Sequence, residues 1–150
     1  MPISNKVLRK EIIINCSVQD VWKIFDSSDG INSFFNADSY IEFKPLGKFE
    51  IYFDLKSEAG QRGTEGCKLL SYIPFEMISF TWNAPPSIPS IRALGDVMWV
   101  VINLEVIDLT KTKIILRHFG WKNGDDWGKT YLYFDHAWNI VLERFQEKFD

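Results

Sequence analysis

Asp126-Trp127-Gly128-Lys129-Thr130-Tyr131-Leu132-Tyr133-Phe134-Asp135-His136-Ala137-Trp138-Asn139-Ile140-Val141-Leu142-Glu143-Arg144-Phe145-Gln146-Glu147-Lys148-Phe149 closes the chain and decides its fold. At helical spacing Trp127, Tyr131, Phe134, Trp138, Leu142, Phe145 and Phe149 fall on one face, and Val141 widens it. Lys129, Asp135, Asn139, Arg144 and Glu147 occupy the other side. A helix of this length spans about 35 Å at its rise per residue, which is the width of a small domain. Its apolar face needs a broad partner.

The remaining residues supply strands. Val7–Asn15 reads as the first, with Ile12 and Ile14 set against Glu11 and Ile13. Ser17, with Asp20 three residues on, predicts the N-cap of a short helix whose stripe is Val18, Val21, Trp22 and Phe25. Asp26–Gly30 breaks it, and a second short helix holds Ile31, Phe34 and Phe35. Tyr40–Lys44 and Lys48–Leu55 follow as strands, the latter with Phe49, Ile51, Phe53 and Leu55 on one face. Thr64–Tyr72 and Glu76–Trp82 read as a hairpin about Ile73-Pro74-Phe75.

Asn83–Asp96 is long for a connection, and its Ile88, Ile91 and Leu94 suit either a mobile lid or a long hairpin loop. Met98–Val106 places Met98, Val100, Ile102, Leu104 and Val106 together, and after a turn at Asp108–Thr112 the last strand, Lys113–Trp121, puts Ile114, Leu116 and His118 on one side. The expected order is one strand, two short helices, six strands and one long helix, in a single domain over 1–150.

Composition limits the function. At 150 residues with 46% hydrophobic side chains the chain can bury a substantial core, and a net charge of −3 argues against nucleic-acid binding by bulk electrostatics. Aromatic residues reach 15%, so flat rings must build that core or line a cavity within it. Cys16 and Cys67 lie in apolar contexts without metal-ligand spacing and read as reduced thiols. No signal peptide and no run of about 20 apolar residues is visible, which predicts a soluble, cytoplasmic protein without a membrane span.

Several segments carry a resemblance. Ser17-Val18-Gln19-Asp20-Val21-Trp22, Pro74–Trp82 with its Phe80-Thr81-Trp82 ending, and Ile114-Ile115-Leu116-Arg117-His118-Phe119-Gly120-Trp121 followed by Trp127, Phe134, Trp138 and Leu142 resemble the Aha-like branch of START-like domains. That branch is named after the activator of a heat-shock chaperone's ATPase. The resemblance runs from about Lys6 to the end. It implies an α+β helix-grip fold, in which a curved antiparallel sheet wraps a long C-terminal helix after two short ones. The family's usual Trp-Phe after the second helix is replaced by Phe34-Phe35, and its Gly-Gly before the third strand is reduced to Gly47. The separate N-terminal domain of the chaperone activators proper has no counterpart in these residues, so the resemblance speaks for fold rather than for chaperone activation.

Chemistry is sparse. His118 points inward, as a hydrogen-bonded core histidine or as a ligand contact, and His136 lies on the wet flank of the long helix. No metal constellation, nucleophile elbow or dinucleotide fingerprint occurs; Gly60, Gly63 and Gly66 read as a strand-to-strand turn. Asp54, Glu65 and Arg117 could meet across strands as a surface charge cluster.

The functional expectation is an apolar cavity at one end of the gripped helix, as the resemblance implies. Its expected lining is Phe35, Phe53, Phe80, Trp82, Met98, His118, Tyr131, Phe134 and Trp138, with Pro86–Leu94 as the gate. The first reading is binding of a small hydrophobic molecule, with no cofactor, no metal and no assigned reaction. The alternatives are a protein-interaction module, assisting a chaperone or forming a homodimer, and a cyclase or hydrolase. An enzyme of that kind would use His118, Tyr131 or an acidic residue as its acid or base.

Overall fold

The computed structural model describes residues 4–150. Its elements run β1 (Leu8–Ile14), α1 (Val18–Phe25), α2 (Ser28–Phe35), β2 (Asp38–Ile41), β3 (Phe49–Tyr52), β4 (Leu69–Ile73) and β5 (Met77–Trp82). They continue as α3 (Pro89–Arg92), β6 (Met98–Asp108), β7 (Lys111–Phe119) and α4 (Asp125–Glu147). The architecture is α+β, with an antiparallel sheet packed against one long C-terminal helix.

Local chemistry sets the boundaries. The Ser17 hydroxyl accepts from the Asp20 N–H (3.2 Å) and starts α1, and Ser27 does the same for α2 through Gly30 (3.1 Å). Asn36, in the left-handed region at φ 54°, ends α2. Asp125 and Asp126 place negative charge at the α4 N-terminus, where exposed N–H groups favour it.

Five strands form one sheet in the order β1-β7-β6-β5-β4, all antiparallel, and β2 pairs with β3 separately. Register lines up inward side chains in rows. Leu8, His118, Val100, Phe80 and Leu69 oppose one another across all five strands, and all are buried. In the next row Lys10, Leu116, Ile102 and Ile78 are opposed. Lys10 stretches out of that row to reach Asp135 on α4 at 2.6 Å, keeping its ammonium paired at the domain's edge. Helix α4 buries Trp127, Phe134, Trp138, Leu142 and Phe145 against this surface and α2.

The structure corrects several expectations. Alternation would bury Phe53 and Leu55, yet both are about half exposed, because β3 stops at Tyr52. There Asp54 captures the Lys56 N–H (3.0 Å) and the Ser57 hydroxyl (2.8 Å), turning the chain away from the core. Val106 is 61% exposed, since β6 and β7 run past the end of the core. The strand expected from Thr64 begins only at Leu69. The long loop contains the one-turn helix α3, with Ile91 buried and Arg92 donating to the carbonyls of Ala84 (2.7 Å) and Gly60 (2.6 Å). The charge cluster does not form either: Glu65 pairs with Arg92, Arg117 bonds Asn103, and Asp54 serves its own turn. Cys16 and Cys67 are free thiols, and burial pushes Cys67 up to about 12.

Between β3 and β4 the pairing is irregular, and this join shapes the sheet. The Thr64 N–H donates to the Ile51 carbonyl (2.9 Å), while the Ile51 N–H donates back to the Thr64 hydroxyl (2.8 Å). Gly63 passes so close that a Cβ there would lie 1.9 Å from the Ile51 carbonyl oxygen. Gly63→Ala is therefore expected to cost about 2–3 kcal/mol of unfolding free energy, measured by urea titration. A loss below about 0.5 kcal/mol would show that the join yields freely.

Candidate functional site

Helix α4 is tightly held at the sheet's centre and less so toward β3. At the centre, the Trp138 indole N–H donates to His118 Nδ1 at 3.0 Å, so Nδ1 is the acceptor and the ring proton lies on Nε2, facing Met98 Sδ at 3.3 Å. The Trp121 indole N–H caps the His118 carbonyl at 2.8 Å. His118 is fully buried, and that burial lowers its pKa to about 3. The imidazole is thus neutral, with both nitrogens engaged.

Toward β3 the rings leave space between them unfilled. Trp82 stacks on Phe35 (5.6 Å, 22°) and leans on Trp138 (5.3 Å), while Phe53 meets Phe35 and Trp82 edge-on. On α4 the small Ala137 sits between Phe134 and Val141, and a cavity of about 230 Å³ opens beside it. Phe35, Phe53, Trp82, Trp138 and Val141 complete its walls, with Tyr133, Ile140 and Arg144 at the helix side. A second cavity of about 350 Å³ adjoins the first across Phe53, Trp82, Tyr133 and Phe134, which line both, as the outer of two neighbouring lobes.

The outer lobe is more polar. Its wall includes Asp54, Arg62, Thr64, Asn83 and the Pro85-Pro86-Ser87 turn. Bonds from the Ser57 hydroxyl and the Lys56 N–H hold the Asp54 carboxyl below its usual range. Arg62 Nε donates to the Ser57 carbonyl (2.9 Å), which fixes its side chain along the wall. Beneath it, burial would raise Glu65, but the N–H groups of Arg62 and Gly63 outweigh that and hold it low. Among the described residues, neither lobe is lined by a histidine or a cysteine, and no group of three or more His, Cys, Asp and Glu could hold a metal ion.

Of the expected lining residues, Phe35, Phe53, Trp82, Phe134 and Trp138 come together around the cleft. Phe80, Met98 and His118 lie behind that wall, fully buried. Tyr131 packs on Trp121 (5.0 Å), with the Lys6 ammonium 3.8 Å above its ring. Within the expected gate, Pro86 and Ser87 reach the outer lobe, whereas Ile91 is a core residue and Leu94 is half exposed. His136 is exposed. Tyr133, Ala137, Ile140, Val141 and Arg144 were not anticipated as a set. Their spacing of four, seven, eight and eleven residues was the available signal, a second stripe beside the main one.

No helix among the described residues is long and apolar enough to cross a membrane. Comparison with curated proteins finds no match. Solved structures share the fold at low identity. A Mesorhizobium loti protein is 17% identical with a TM-score of 0.72, covering 95% of each chain. A Bacillus halodurans protein is 18% identical with a TM-score of 0.70, covering 100% of each. The Aha1 dimer of Colwellia psychrerythraea is 14% identical with a TM-score of 0.64, covering 96% of each. The model of one family, Activator of Hsp90 ATPase homolog 1-like protein, matches residues 15–150. With nearly the whole chain under that match and its helix-grip fold in place, the protein belongs to this family.

Proposed function

We propose that the protein binds a small hydrophobic molecule in the two-lobed cleft between α4 and the β3 and β5 strands. The observation that carries this reading is the space beside Ala137, walled by Phe35, Trp82, Trp138 and Val141. Ligand sites of about 300–1,000 Å³ are mostly apolar with a few polar groups at one end, and this cleft has that polarity, with Asn83 and Arg62 only in the outer lobe. The reading is one of binding without covalent chemistry. His118 is neutral and fully engaged and Tyr131 lies outside the cleft; the one acidic residue on its wall, Asp54, is held low by its own turn, bonded to the Ser57 hydroxyl and the Lys56 N–H.

A second reading is docking of a protein, including another copy of this chain. It rests on Leu132, Tyr133 and Ile140, which are 69%, 44% and 40% exposed on α4. The Colwellia relative is described as a dimer, which favours the same reading.

A thermal-shift series with fused-ring aromatics, flavonoids, steroids and lipids separates the two. A ligand at 100 times its dissociation constant adds about 2.7 kcal/mol, a rise of about 5–10 °C for a domain of this size. Ala137→Phe, which fills the inner lobe, is expected to abolish the rise. A rise that persists in Ala137→Phe, or no rise with any class, contradicts the cleft reading; protein docking would then be tested next.

A further inference from the structure

One residue of the cleft wall carries an unmet polar group, buried beneath the wall's surface. Among the described residues, the Trp82 indole N–H is the single buried side-chain nitrogen or oxygen without a hydrogen-bond partner. Two of the other buried indoles, Trp121 and Trp138, both donate to His118. Trp82 is 2% exposed and lines both lobes, at the junction where the apolar inner wall gives way to the polar outer one. A buried donor left unmatched carries its desolvation cost with nothing in return, so a group that accepts from it gains more than a surface hydrogen bond would.

Building on the cleft reading, we propose that the ligand is a flat, neutral, carbonyl-bearing ring system whose oxygen accepts from the Trp82 indole N–H. The ring body lies in the inner lobe against Ala137, Val141 and Trp138. Neutrality follows from the surroundings. The inner walls offer no buried cation to pair with an anion, Arg144 being exposed, and a charge placed there would lose its hydration uncompensated. In the outer lobe the ionised Asp54 and the Arg62 guanidinium share the wall and offset one another, so that end favours no net ligand charge either. Phe53, half exposed and edge-on to both Phe35 and Trp82, is the side chain that shifts to let the carbonyl reach the indole.

Two probes of matched shape test this, 2-acetonaphthone and 2-isopropenylnaphthalene, which differ by an oxygen in place of a methylene group. Their affinities are measured by titration calorimetry for the wild-type chain and for Trp82→Phe. The substitution is expected to weaken the ketone about tenfold more than the alkene. In the wild-type chain, labelled at the indole nitrogens, the Trp82 N–H proton is expected to move downfield with the ketone and not with the alkene. Equal losses for both probes together with an unmoved indole proton would overturn the proposal while leaving the cleft reading intact. Binding of neither probe would overturn both. If Trp82→Phe does not fold, the indole shift in the wild-type chain decides alone.

Discussion

Between pH 7 and pH 5 the unfolding free energy is expected to fall by about 2 kcal/mol through His118 alone. Burial holds the folded imidazole at about 3, against an ordinary value of 6.5. Geometry reinforces burial, because a proton on Nδ1 would confront the Trp138 N–H that now donates to it. The unfolded chain therefore takes a proton that the folded chain refuses. The stabilisation is complete above about pH 6.5 and is lost progressively as the pH falls toward 3, by about 1.4 kcal/mol per unit. Glu65, Asp54 and Asp108, whose carboxyls are held low, add their own losses in more acidic solution, which leaves the interval from pH 7 to 5 to His118. His118→Gln retains an oxygen that can accept from Trp138 and removes the titration. Its urea-derived stability is expected to change by less than about 0.5 kcal/mol over the same interval. A wild-type profile as flat as the variant's would mean that the buried ring is charged or reaches water.

The largest effect of a single substitution is expected at Phe34. Its ring is 2% exposed and lies 5.0 Å from Phe25 on α1, 4.9 Å from Phe35 and 4.9 Å edge-on to Phe145 on α4. It joins both short helices to the long one. Phe34→Ala removes the ring from a site whose neighbours are themselves rigid rings, so the void cannot collapse, and the expected cost is about 3–5 kcal/mol. Phe75→Ala serves as the control. That ring is 49% exposed at the β4–β5 turn, and its loss is expected to cost about 1 kcal/mol or less. Equal costs at the two positions would contradict the view that the aromatic joint between α1, α2 and α4 holds the fold together.

Much of this architecture was legible because two periodicities wrote it into the sequence. Apart from the half-buried Tyr131, the stripe from Trp127 to Phe145 is buried as its spacing requires, and so is the inward series Met98, Val100, Ile102 and Leu104. Alternation, however, reports which way a side chain points and not whether anything covers it. Phe53, Leu55 and Val106 are exposed because they lie beyond the core, since strand length depends on turns such as that of Asp54 and Ser57. Thr130 was invisible to a count of apolar residues. It is fully buried in α4 because its hydroxyl bonds the Asp126 carbonyl at 2.7 Å.

The cleft was legible only on its aromatic side. Phe35, Trp82 and Trp138 follow from inward-facing positions, whereas Arg62, Asn83 and Ala84 reach it through the irregular join at Gly63 and Thr64, which no period encodes. His118 was readable as inward-facing. Whether an inward residue meets a cavity or sits behind its wall depends on the bulk in front of it, and here Trp138 and Phe134 stand between.

The most direct test of the central claim is where a bound apolar molecule sits. With 2-isopropenylnaphthalene at saturation, intermolecular nuclear Overhauser contacts to the methyl groups are measured. The account predicts contacts to the methyls of Ala137, Val141 and Ile140, which line the inner lobe. Contacts confined instead to Val106, Ile107 and Leu109, which are 61%, 46% and 90% exposed at the far tip of β6 and β7, would contradict it and assign the affinity to surface stickiness.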